Sequence, residues 1–131
     1  MASLFGHSAV GYTVSKLMNH KNLKWLLLAA VISTILPDFD VIGFKLGIPY
    51  THPLGHRGFT HSILFALLWA LLLMRTLGRQ NKIVWFLVIF LSTVSHGILD
   101  AMTTGGRGIG FFIPFNNDRF FLPFQVIKVS P

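Results

Sequence analysis

Gly55-His56-Arg57-Gly58-Phe59-Thr60-His61-Ser62 opens the apolar run from Ile63 to Met74. Two imidazoles, a guanidinium and two hydroxyls stand at the mouth of a helix that has no structural need of them. Metal ligation or phosphate binding would need them. Three further polar clusters can be brought beside this one by a single folding pattern: His7, the pair Asp38 and Asp40, and the pair His96 and Asp100.

The surrounding composition is that of a membrane chain. Of 131 residues, 53% are hydrophobic and 11% charged, against roughly a quarter charged in ordinary soluble domains. The competing reading is a very apolar soluble helical domain. The length fits one domain, residues 1–131. Net charge is +7, with four Asp and no Glu. The cations lie at the ends of apolar runs rather than along one face. They therefore suit membrane flanks and anionic lipid, and no nucleic-acid partner is expected. Without cysteine there is neither a disulfide framework nor a thiolate metal site, so any metal must be held by His and Asp. No basic, cleavable leader opens the chain, and the first apolar segment, which carries His7, is read as mature protein.

Four helices are expected. The first covers Ser3–Met18, with Ser3 as N-cap and with Gly6 and Gly11 allowing a second helix to approach closely. The second covers Leu23–Leu36 and stops at Pro37, which leaves Asp38 and Asp40 at a helix C-terminus. That end carries partial negative charge, so two carboxylates there imply a bound cation. Residues 41–55 read as a loop over or beside a site, with His52 outside that site. The third helix covers Gly58–Leu77 and the fourth Ile83–Met102. In the fourth, the i, i+4 spacing puts His96 and Asp100 on one face, where they can reach one ion or bond each other. Thr103–Pro131 has four glycines, three prolines and six phenylalanines. It reads as an irregular segment at the membrane surface or over the site, and Gly105–Gly108 as an anion-binding or plain turn.

The fold class is thus all-α: a membrane-embedded up-down bundle of about four helices with an irregular, aromatic-rich C-terminal segment. That topology puts His7, Asp38, Asp40, His56, His61, His96 and Asp100 at one end. Lys16, Lys21, Lys24, Arg75, Arg79 and Lys82 collect at the other. Fourteen residues separate His7 from Lys21, Lys24 from Asp38, His61 from Arg75 and Lys82 from His96, or roughly 21 Å of helix in each case. A common polar layer at one depth gives this agreement. Carboxylates so placed in a bilayer need pairing or a metal. Imidazole-rich sets favour zinc, with manganese the rival. The excess of Lys and Arg at the opposite end puts that end in the cytoplasm and the site outward.

These motifs resemble the YdjM-type family of inner-membrane metal-dependent hydrolases. Gly6-His7 with Gly11, Leu36-Pro37-Asp38-Phe39-Asp40, the His56–His61 block and Ser95-His96-Gly97-Ile98-Leu99-Asp100 carry the resemblance. The stretch after Asp100 and the run from Pro114 to Asp118-Arg119-Phe120 add to it. It covers nearly the whole chain, and the family usually runs further. It implies a distant similarity to zinc-dependent phospholipases C and S1/P1-type nucleases. In that light His96 and Asp100 match the His-x-x-x-Asp pair, and His7 the early histidine. Asp38 or Asp40 is similar to the bridging aspartate, and His56 or His61 to the next histidine. The later His-x-x-x-Glu ligands have no match, so one or two zinc ions are expected rather than three.

The function this implies is hydrolysis of a phosphoester in the membrane, on a lipid or lipid-linked substrate. Asp40, where not a ligand, would serve as general base or ligand support. Arg57 would clamp the phosphate, and Thr60 and Ser62 would orient ligands. Two alternatives stand beside it. One is a non-catalytic membrane protein held together by, or sensing, its metal. The other, from the resemblance alone, is a regulatory partner of a DNA-damage-response repressor.

Overall fold

The computed structural model describes residues 4–18 and 24–128. Helix α1 covers Leu4–Met18, α2 Lys24–Ile35, the one-turn α3 Ile42–Lys45, α4 Ile63–Thr76 and α5 Lys82–Ala101. No strand forms among the described residues; two isolated bridges, Thr103 with Ile127 and Ile109 with Phe120, pin the C-terminal segment. The architecture is all-α. The expected N-cap Ser3 and Lys21 of the basic end lie outside the described residues.

Helices α2 and α5 run in parallel at the centre, with α1 packed antiparallel on both and α4 on α5. Leu26, Ala29, Ala30, Ala70, Trp85, Val88 and Ile89 form the buried core. Ala29, Ala30 and Ala70 lie in this core, and side chains that small let the paired helices approach closely. Outward positions are apolar too: Phe5, Leu28, Ile32, Leu68, Leu72 and Leu91 are exposed. That is the surface of a protein solvated by lipid. Lys24–Lys45 and Lys82–Ala101 are long and apolar enough to cross a membrane.

Two expectations are corrected. Pro37 does not stop the second helix. A 3-10 segment, Leu36–Val41, continues α2 directly into α3. Proline takes the first turn of that segment, where a missing N–H forfeits no hydrogen bond. Asp38 and Asp40 therefore lie inside a continuous helical span rather than at its negative end. The third helix also starts later than expected. Phe59–His61 form a separate 3-10 turn, and Ser62 caps α4 by accepting from the Phe65 amide at 3.0 Å.

Of the two glycines expected at a helix contact, Gly6 is exposed and only Gly11 is buried. A Cβ on Gly11 would fall 2.7 Å from Thr34 Cγ2 and 2.9 Å from the Ala30 carbonyl oxygen. Gly11→Ala is expected to lower stability by about 1–3 kcal/mol, read as a lower thermal midpoint in detergent. An unchanged midpoint would mean that α1 and α2 are not held this closely.

A candidate metal centre at one end of the bundle

The bundle brings the start of α1, the 3-10 segment after α2, the turn before α4 and the end of α5 to one end, as the matched spacing implies. Four ligand atoms from Asp38, His61, His96 and Asp100 lie within 4.8 Å of one another. His61 Nε2 is 3.1 Å from His96 Nε2, and Asp38 Oδ1 is 3.4 Å from His96 Nε2. The remaining His–Asp separations, His61 to Asp38 and both histidines to Asp100 Oδ2, are 3.8 Å. A tetrahedral ion with bonds of about 2.0–2.1 Å holds neighbouring donors about 3.3 Å apart. The four atoms fit such an ion with small adjustments.

The surroundings fix the direction each ring faces. His96 Nδ1 donates to the Thr34 carbonyl oxygen at 2.6 Å. His61 Nδ1 lies 3.2 Å from Asp40 Oδ2 and 3.1 Å from Thr60 Oγ1. With each Nδ1 set against an acceptor, both Nε2 atoms face the same point, where a neutral ring presents its lone pair. Two lone pairs at that distance repel unless a cation or a shared proton lies between them. Burial pushes the His61 imidazole below its ordinary pKa, against the pull of Asp40, which keeps the ring neutral and able to donate its lone pair. Asp38, Asp40 and Asp100 share this layer with one guanidinium, that of Arg57, whose Nε lies 3.3 Å from Asp100 Oδ2, so with neutral imidazoles the layer carries an excess of two negative charges.

Asp40 supports the ligands. Its Oδ2 accepts from Thr60 Oγ1 at 2.7 Å and from the Arg57 amide at 3.0 Å, and its Oδ1 accepts from His56 Nδ1 at 2.6 Å. Of the two histidines that the sequence leaves open, His61 joins the four-atom group, while His56 sits one layer out on Asp40. His7 is also outside the group: its ring stacks on His96 with centroids 4.0 Å apart, and its Nε2 is 3.5 Å from Asp100 Oδ1. Arg57 is buried, with Nε 3.3 Å from Asp100 Oδ2 and Nη1 donating to the Gly105 carbonyl oxygen at 2.7 Å. His52 is exposed, and its Nδ1 accepts from the Leu54 amide.

The turn carrying these groups is tightly wound. The Gly58 amide donates to the Gly55 carbonyl and the Phe59 amide to that of Pro53. Arg57 itself adopts a left-handed φ of 61°. Gly97 lets the turn sit against α5, since a Cβ there would be 3.3 Å from the His61 carbonyl oxygen. The C-terminal segment then closes over the loop. Arg119 donates to the carbonyls of His56 at 2.9 Å and Tyr50 at 2.8 Å and lies over the Tyr50 ring. Gly105–Gly108 form a turn whose first carbonyl receives Arg57.

Arg119, Tyr50 and the Thr34 carbonyl are the contributors that sequence reasoning missed. Arg119 left a signal only as part of the Asp118-Arg119-Phe120 run, with no role attached; a backbone carbonyl leaves none.

An all-α chain with two helices apolar enough to span a bilayer and a His/Asp cluster at one end is a helical membrane protein with a possible metal site. The profile of the YdjM inner membrane protein family matches residues 1–131, and the chain belongs to that family. The inner membrane protein YbcI of Escherichia coli (strain K12) is 42% identical over 135 aligned residues, covering all of this chain and 78% of the relative. No solved structure matches significantly. The protein is accordingly one of the inner membrane.

Proposed function

We propose that the protein is a membrane-bound metal-dependent hydrolase acting on a phosphoester. The observation that carries this reading is the convergence of the His61 and His96 Nε2 lone pairs with oxygens of Asp38 and Asp100, each imidazole fixed from behind. A mixed nitrogen and oxygen donor set suits zinc, and manganese next. When bound, such an ion acidifies water and draws charge from a phosphoryl oxygen.

The chain's own residues do the rest. Asp40 holds the Nδ1 proton of His61 and so keeps its Nε2 free. Thr60 and the Arg57 amide keep the Asp40 carboxylate aimed. Arg57 fixes Asp100 through Nε and sets a positive potential beside it. With its Nη1 already on the Gly105 carbonyl, it has less freedom to clamp a phosphate than a mobile arginine. Asp38 has a side chain 18% exposed, whereas His61, His96 and Asp100 side chains are closed off. Water and substrate reach the layer past Asp38, and a site so near the end of two spans favours a lipid or lipid-linked substrate.

A second reading has one observation in its favour. Four protein donors around one point is the pattern of closed structural zinc sites, whereas catalytic ones keep a position open. Elemental analysis of the detergent-purified protein beside a His96→Ala, Asp100→Ala double variant tests both. About one equivalent of metal in the wild type and none in the variant is expected. A folded, monodisperse wild type without metal would sink both readings. Bound metal with no turnover of lipid phosphoesters would leave the structural one.

A further inference from the structure

At the end of the bundle opposite the metal centre, a groove of about 430 Å³ runs between the first turn of α2 and the connection from α4 to α5. It is lined by Lys24, Trp25, Leu77, Arg79, Gln80 and Trp85. We propose that this groove binds the headgroup of an anionic phospholipid.

Charge makes the first argument. The chain has only four side-chain carboxylates, those of Asp38, Asp40, Asp100 and Asp118. The first three lie in the metal layer, and Asp118 lies in the C-terminal segment that covers it. Lys24 and Arg79 in the groove, with Arg75 and Lys82 beside it, therefore have no carboxylate at their end among the described residues. Helices α2 and α5 both begin here, and neither has an acidic residue in its first turn. Each instead begins with lysine, although a helix N-terminus carries partial positive charge and favours anions. Asn81, which precedes α5, makes no side-chain cap bond. The unbalanced positive potential calls for an external anion.

The apolar wall makes the second argument. Trp25 is 75% exposed and Leu77 51% exposed, directly beside the cations. A small hydrated anion would leave that surface wet, whereas an amphiphile covers it with acyl chain. The groove also sits where both candidate spans begin, at Lys24 and Lys82. Tryptophans belong at that boundary, and basic pockets there hold anionic headgroups. Its volume is within the range of ordinary ligand sites.

The chain supplies its own probe, because two of its three tryptophans line the groove and the third, Trp69, donates to Ser33 inside the bundle. Quenching of tryptophan emission is measured in mixed micelles with phosphatidylglycerol or phosphatidylcholine bearing brominated acyl chains. Half-quenching by phosphatidylglycerol is expected at a roughly tenfold lower mole fraction than by phosphatidylcholine. A Lys24→Gln, Arg79→Gln variant is expected to lose that preference, and Lys128→Gln to keep it. The double variant removes only two of eleven cations, so a preference arising from net charge alone would survive it. Inorganic phosphate at millimolar concentration is expected to leave the quenching unchanged. Equal quenching of the wild type by the two lipids overturns the proposal, and the outcome needs no variant to fold. A preference that survives in the double variant also overturns it. Relief of quenching by phosphate would make the ligand a free anion and overturn it likewise.

Discussion

His61→Ala is expected to abolish metal binding, whereas His56→Ala is expected to weaken it and leave a measurable fraction. The two histidines belong to one short turn and face the same aspartate, but from different layers. His61 presents Nε2 to the four-atom group, 3.1 Å from its His96 counterpart. Removing it deletes a donor from a buried point surrounded by carboxylates and leaves their repulsion unrelieved. His56 contributes one hydrogen bond to Asp40 Oδ1. Asp40 keeps its bonds from Thr60 and the Arg57 amide without it, so the support for His61 is loosened and not lost. Changes of that outer kind weaken metal affinity about 10–100-fold. Titration of the metal-stripped variants with zinc, read by calorimetry, separates them. Equal losses in the two variants would put His56 and His61 in the same role and refute the assignment.

Gly58→Ala is expected to be the most damaging single methyl group in the chain. Its Cβ would fall 2.2 Å from the Pro53 carbonyl oxygen and 2.7 Å from that of Gly55. Both obstacles are backbone atoms in a turn already held by bonds from Gly58 to Gly55 and from Phe59 to Pro53. No side chain can rotate away. Relief requires the turn to open, and the turn carries the Arg57 amide and Thr60 hydroxyl that aim Asp40. A loss of about 3 kcal/mol together with most of the bound metal is expected, read by thermal unfolding and elemental analysis on one preparation. Wild-type metal content in a folded Gly58→Ala variant would show that the turn tolerates rearrangement and that ligand support lies elsewhere. His61→Ala differs in signature: it takes the metal but leaves the turn's backbone bonds in place.

The sequence carried much of this because the chain is so poor in polar groups. With four acids and six histidines in an otherwise greasy chain, each one inside an apolar run is informative. Equal spacing from the basic ends places them at one depth. His96 and Asp100 were legible as a pair because helical periodicity is reliable over the twenty residues of α5. Pro37 was misread because local propensity says that helices end there. In the folded chain, Asp38 faces the His/Asp layer and Asp40 is tied to His56, Arg57 and Thr60, so tertiary contacts carry the helical path on through a 3-10 turn. His56 and His61 could not be told apart because the turn that separates them rests on the close backbone contacts of Gly55 and Gly58, which no periodicity encodes. The support from Thr34 is a main-chain oxygen, identical in every residue, and is invisible until the fold brings it to His96.

Arg57 has one more implication, for the order in which the molecule is made. Its amide reaches back to Asp40, its Nε crosses to Asp100, its Nη1 meets Gly105, and its carbonyl receives the Gly110 amide at 2.9 Å. A single residue thus ties together segments that leave the ribosome some seventy positions apart. The early helices can insert and pair while the later ones are still being synthesised, but the ligand cage cannot lock until the residues around 110 have been delivered. Nascent chains halted before that point would be membrane-inserted with the His/Asp cluster still unlocked, so the metal binding proposed above would belong to the end of biogenesis and not to insertion.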